Sequence, residues 1–139
     1  MNNIQFLDVL RLSYYKHLEK GARSNEKLKI LHGAIAVDLA NKLGEEYFIL
    51  SLGYNSGKEG KVKGRYMDKN VDITISKKGK AMAAIGIKFI MSNYAQNANN
   101  LFENMLGETA NIRSNNIPYF QILVLSDRMP YFKSDKSIK

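Results

Sequence analysis

Residues 65–90 read RYMDKNVDITISKKGKAMAAIGIKFI, and two alternating runs within this stretch decide the fold. In the first, Val71, Ile73 and Ile75 alternate with Asp72 and Thr74, which predicts a strand with an apolar face and an opposite face that presents the carboxylate. The second places Ala83, Ile85, Ile87 and Phe89 on one face and Ala84, Gly86 and Lys88 on the other. KKGK at 77–80 lies between them and reads as a turn. The two runs therefore form a hairpin that sets Asp72 and Lys88 on neighbouring strands.

Upstream, YFILSL at 47–52 predicts a buried strand, and the glycine-rich stretch GYNSGKEGKVKG at 53–64 predicts a solvated connection. Two helices precede these. The first covers about 3–20, with Ile4, Leu7, Leu10, Tyr14 and Leu18 at helical spacing and Gly21 as its stop. A second starts near Ser24 and runs through Leu28, Leu31, Ile35 and Leu39 to Leu43, before Gly44. Downstream, residues 95–113 place Leu101, Phe102, Met105, Leu106 and Ile112 on a helical stripe, and PYFQILVL at 118–125 predicts a last strand. The result is an α/β fold, a mixed sheet flanked by helices, with the second helix and the 95–113 helix on its two sides. One domain accounts for the whole: an N-terminal helix at 1–23, a core at 24–125 and a polar C-terminal segment at 126–139.

Composition narrows the chemistry. The 139 residues include no cysteine and two histidines, His17 and His32, so thiol catalysis, disulfides and zinc ribbons are excluded and a metal is expected on oxygen ligands. His32 stands alone in its helix, without the glutamate or second histidine of a zinc hydrolase, and reads as structural. Lys and Arg outnumber Asp and Glu by 21 to 13, a formal net charge of +8, which favours a polyanionic partner such as nucleic acid. No apolar run approaches the roughly 20 residues that span a bilayer. The N-terminus is interrupted by Asp8, Arg11 and Lys16, and a cytoplasmic protein with no membrane partner is expected. GYNSGKE is a residue short of a phosphate-binding P-loop and carries Glu59 where the hydroxyl is needed.

Phosphodiester hydrolysis requires neutralising the charge that repels hydroxide, orienting a water in line and stabilising the leaving oxygen. Magnesium held by one or two carboxylates meets these needs, and a lysine beside it orients the water and balances developing charge. Asp72 and Lys88 on adjacent strands have the right chemistry for such a site.

These residues resemble the PD-(D/E)XK nucleases, which place an aspartate at the start of one strand and an acid-any-lysine triplet on the next. VDITI at 71–75 followed by GIK at 86–88 matches that order, and the helix and strand that follow look like those completing the core of type II restriction endonucleases, over 24–125. The resemblance implies a restriction-endonuclease-like fold, Mg2+ as cofactor, double-stranded DNA as substrate and a homodimer that cuts both strands. Gly86 stands where the family has its second acid. Some members take that acid from the following helix, and here Glu103 is the first candidate and Glu108 the alternative. At about 100° per residue, Glu103 falls at the edge of the apolar stripe, near Gln96, Asn99 and Gly107 in angle.

The expected roles are therefore Asp72 and Glu103 as metal ligands and Lys88 as the residue that positions water. Gln96 is expected beside the site, with Lys61, Lys63 and Arg65 on DNA phosphates. The expected function is a sequence-specific, Mg2+-dependent DNA endonuclease. The rivals are a catalytically silent DNA-binding module of the same fold, a repair or junction-resolving nuclease, and a basic RNA-binding protein. At 139 residues the chain is short for a restriction enzyme, and reads as a small family member or a piece lacking specificity elements.

Overall fold

The computed structural model describes residues 1–133, 135, 137 and 138, so positions 134, 136 and 139 of the polar C-terminal segment lie outside the described residues. Its elements run α1 (Asn3–Lys20), α2 (Glu26–Leu43), β1 (Phe48–Ser51), β2 (Gly60–Lys63), β3 (Asp68–Val71), β4 (Ile73–Lys77), β5 (Lys80–Ile90), α3 (Tyr94–Arg113) and β6 (Tyr119–Leu125). This is a mixed α/β arrangement of a four-stranded sheet, ordered β1-β4-β5-β6, and a small sheet made by β2 and β3.

β4 is antiparallel to both β1 and β5, and Ile73 pairs with Ile85 across the hairpin. β6 runs parallel to β5, with Gly86 opposite Gln121 and Lys88 opposite Leu123. A parallel neighbour requires a long crossover, and α3 supplies it. The alternation of β5 sorts its residues as expected: Ile85 and Ile87 join Ile73, Ile75 and Ile49 under Leu31, Ile35 and Ala36 of α2, whereas Ala84 packs with Val62, Val71, Ile112 and Tyr119 on the other face.

The structure corrects four details. First, the run around Asp72 is not one strand. Val71 packs in the α3-side cluster while Ile73 packs under α2, because the chain leaves the small sheet for the large one at Asp72. The face opposite Ile73 is not open either, since Thr74 is buried beneath β2. Second, the glycine-rich connection contains β2, whose Val62 is 0% exposed. Third, α1 turns Phe6, Val9 and Leu10 inward, leaving Ile4, Leu7 and Leu18 of the expected stripe exposed. Fourth, the inward stripe of α3 is Ala98, Leu101, Met105, Glu108 and Ile112, at intervals of three and four residues. Phe102 and Leu106 point away from it, Leu106 being 70% exposed.

Candidate active site

Asp72 occupies the junction where β3 ends and β4 begins. Its Oδ2 accepts the backbone N–H of Ile87 at 2.6 Å, which fixes the carboxylate against the strand that carries Lys88. Asp72 and Lys88 both line one small cavity of about 60 Å³, together with Lys69, Gly86, Glu108 and Tyr119. That volume admits about four waters, or a cation with part of its water shell. The two residues that the sequence paired thus open on the same space.

The acid that reaches Lys88 is Glu108, whose Oε2 lies 3.4 Å from Lys88 Nζ and whose Oε1 lies 3.5 Å from the same atom. Lys69 Nζ approaches Oε1 at 3.9 Å, and the Tyr119 hydroxyl donates to Oε2 at 3.1 Å. Glu103 is exposed on α3 and lines a neighbouring cavity of about 390 Å³ with Tyr66, Met67, Asn104 and Asn111. The difference follows from the true inward stripe: Glu108 lies on it between Met105 and Ile112, and Glu103 does not. A stripe that includes Phe102 and Leu106 would turn Glu103 toward the sheet, but both of those residues are exposed.

Gly86 has a steric cause. A Cβ built there would meet the Tyr119 hydroxyl at 2.2 Å, so the tyrosine fills the space that a second acid's side chain would need. Burial pushes the Tyr119 phenol up to about 12, with Glu108 and Asp72 adding to the rise and the Gln121 hydrogen bond opposing it. Tyr119 therefore stays a hydroxyl donor to Glu108 through the neutral range.

Two groups beside Asp72 escaped the sequence reading. His32 of α2 is 1% exposed, its Nδ1 lies 3.9 Å from Asp72 Oδ1, and neither ring nitrogen has a hydrogen-bond partner among the described residues. Burial lowers its pKa below the ordinary histidine value, against the opposing pull of Asp72. Glu59 approaches from the other side because Gly60 lets β2 cross β4 closely. A Cβ on Gly60 would meet Thr74 Oγ1 at 2.5 Å. Ligand atoms of His32, Glu59 and Asp72 all lie within 4.8 Å of one another. Partial burial raises the Glu59 pKa, and the facing Asp72 charge raises it further. The signal for His32 was present: it sits on the apolar stripe of α2 beside Leu31, three residues before Ile35, where a polar residue needs a reason.

The remaining expected residues lie elsewhere. Gln96 is exposed in the first turn of α3, twelve residues before Glu108, which is about 18 Å along the helix axis. Lys61 and Lys63 are exposed on β2 and share a broad groove with Lys80, Asn115 and Asn116. Arg65 stacks its guanidinium over the Tyr66 ring at 5.7 Å, outside the Asp72 cavity. Among the described residues, no helix is long and apolar enough to cross a membrane.

Comparison of the chain with protein-family models, curated proteins and solved structures returned no match. The functional reading therefore rests on the site itself.

Proposed function

We propose that the chain is a Mg2+-dependent endodeoxyribonuclease of the PD-(D/E)XK type, acting on double-stranded DNA in the manner of type II restriction enzymes. The observation that carries this reading is the meeting of Asp72, Lys88 and Glu108 around one cavity. The order of hairpin, α3 and parallel β6 supports the restriction-endonuclease-like fold. A net charge of +8 supports a nucleic-acid partner.

The donors fit a hard cation: two carboxylates, Asp72 and Glu108, border a space large enough for an ion that keeps several waters. When bound, the cation supplies Lewis-acid polarisation of the phosphate and a more acidic water. Asp72 holds its place through the Ile87 N–H. Lys88 Nζ presents its protons to the attacking water and to the non-bridging oxygen that gains charge, and Glu108 and Tyr119 fix the direction in which that ammonium points. Lys61 and Lys63 are positioned to contact phosphates without reading bases. Cutting both strands calls for two copies of the chain.

Gly86 favours the second reading, a DNA-binding protein of the same fold without catalysis. A plasmid-nicking assay with Mg2+ decides between them. Asp72→Ala and Lys88→Ala are each expected to lower nicking by about 10²- to 10³-fold, with DNA binding retained in Lys88→Ala to within tenfold. Wild-type protein that binds DNA but leaves it intact in Mg2+ would establish the silent binder, and Asp72→Ala at wild-type rate would remove the site.

A further inference from the structure

We propose that His32, Glu59 and Asp72 form a cation site of their own, on the α2 side of Asp72, that prefers a first-row transition metal such as Mn2+ to Mg2+. The site lies outside the cavity of Lys88 and Glu108 and shares only Asp72 with it. It deepens the nuclease reading, since Asp72 is common to both, but its evidence and its test are separate from cleavage.

Three observations converge. His32 is a polar side chain enclosed to 1% exposure with both nitrogens unpartnered among the described residues, an arrangement that costs stability unless something binds there. Its Nδ1 lies 3.9 Å from Asp72 Oδ1, beyond hydrogen-bond range. With metal–ligand bonds of about 2.1 Å, two ligands on one octahedral ion lie about 3.0 Å apart when adjacent and about 4.2 Å when opposite. The observed 3.9 Å is close to the opposed spacing, and pairs as far apart as 4.8 Å would draw in slightly on an ion. Glu59 then completes a set whose atoms all lie within 4.8 Å, from three separate segments of the chain.

The electrostatics agree with the geometry. Two partly buried carboxylates face each other across this site with no described lysine or arginine forming an ion pair with Glu59 or Asp72, so a divalent cation would relieve their repulsion. The selectivity follows from the donor set. Mg2+ takes oxygen ligands and rarely accepts imidazole, whereas the first-row transition metals bind a nitrogen with two carboxylates readily. The count of two histidines points to oxygen ligands alone and to a structural role for His32. One imidazole among carboxylates is enough.

Electron paramagnetic resonance of Mn2+, whose free-ion signal falls on binding, tests this directly on the full chain, with Mg2+ as competitor and thermal unfolding run alongside. Wild-type protein is expected to bind Mn2+ at least about tenfold more tightly than Mg2+. His32→Leu is expected to weaken Mn2+ at least about tenfold, the least that losing a direct ligand should cause given what more distant partners of a metal site contribute. The same variant should melt a few degrees above wild type without metal, because leucine fills the pocket with no polar atoms, and should lose the rise in Tm that Mn2+ gives the wild type. Glu59→Gln is expected to weaken both metals. If His32→Leu binds Mn2+ as wild type does, or melts lower without metal, His32 is a structural residue and the proposal is wrong. If His32→Leu does not fold, His32→Ala replaces it and is judged on Mn2+ affinity alone, wild-type affinity again overturning the proposal. Lys88→Ala should keep Mn2+ uptake while losing nicking. Lost nicking with wild-type Mn2+ binding in His32→Leu would sink this inference alone, and retained nicking in Lys88→Ala would sink the nuclease reading alone.

Discussion

The two helices that cover the sheet hold it by different means. α2 buries Leu31, Ile35 and Ala36 against Ile49, Ile73, Ile75, Ile85 and Ile87, an apolar contact interrupted by His32. α3 contributes Ile112 as its one deeply buried hydrophobic residue, with Ala98, Leu101 and Met105 half-buried, and adds a set of directional polar contacts. Asn111 Oδ1 accepts the N–H groups of Tyr66 and Met67 at 2.9 and 3.2 Å, and its Nδ2 donates to the Met67 carbonyl at 2.9 Å. Glu108 takes Lys88 and Tyr119, and the Gln121 amide donates to the Met105 carbonyl. Apolar packing is insensitive to direction, whereas hydrogen bonds are directional. The α2 side therefore supplies most of the apolar stabilisation, and the α3 side fixes the orientation of Lys88, Glu108 and Tyr119.

Truncation on the two sides breaks the comparison if they respond alike. Leu31→Ala is expected to cost about 3–5 kcal/mol in chemical denaturation, the upper range for a fully enclosed leucine. Asn111→Ala removes three hydrogen bonds that clamp the β2–β3 turn to α3, and is expected to cost about 2–3 kcal/mol. The two should also differ in kind. Leu31→Ala lowers global stability, while Asn111→Ala raises hydrogen exchange first at residues 60–71, the small sheet that depends on the clamp. Equal protection losses across both sheets in Asn111→Ala would refute the division.

The same contrast explains what the amino-acid sequence disclosed. β4, β5 and α2 were legible because each buries aliphatic residues at a period of two or of three to four, and Ile85, Ile87, Leu31 and Ile35 sit where that periodicity puts them; β6 was legible as an apolar run that follows Pro118. Asp72 and Lys88 were legible as neighbours because β4 pairs with β5: Lys88 stands on β5, and Asp72 stands at the junction that leads into β4. The α3 side was legible only in part: Leu101, Met105 and Ile112 face inward as their spacing implies, but Glu108 and Asn111 also face inward while Phe102 and Leu106 face out, the reverse of what hydrophobicity alone implies. β2 and β3 were hidden for a related reason. Each has few buried apolar residues, chiefly Val62 and Val71, and these are buried only because Ile112 and Tyr119 arrive from far along the chain. Glu59 comes near Asp72 because Gly60 lets β2 pass close to Thr74 of β4, a contact that alternation along one strand does not reveal.

Gly86 and Tyr119 sharpen the comparison at a single contact. Gly86→Ala places a methyl where the Tyr119 hydroxyl is, and overpacking of this sort is expected to cost about 1–3 kcal/mol. The next nearest atom to that methyl is the ring carbon Cζ at 3.1 Å, so Tyr119→Phe should relieve much of the strain. In a double-mutant cycle, Gly86→Ala should therefore cost less in the Tyr119→Phe background, with a coupling of about 1 kcal/mol. Additive costs would mean that the hydroxyl does not occupy the position of the missing acid.

The smallest effects separate the two glutamates of α3. Glu103 is exposed at the rim of the larger cavity, and Glu103→Gln is expected to change stability by less than about 0.5 kcal/mol and nicking by less than about twofold. Glu108→Gln keeps the size of the side chain but removes the charge that faces Lys88 and Lys69. Its nicking rate should fall by about 10- to 100-fold while its folded structure is retained. Because the glutamates differ by five residues on one helix, the pair measures which way that helix is turned. A Glu103 variant that loses activity while the Glu108 variant keeps it would require α3 to present its apolar Phe102 and Leu106 stripe to the sheet, and the inward place of Glu108 and Asn111 would go with it.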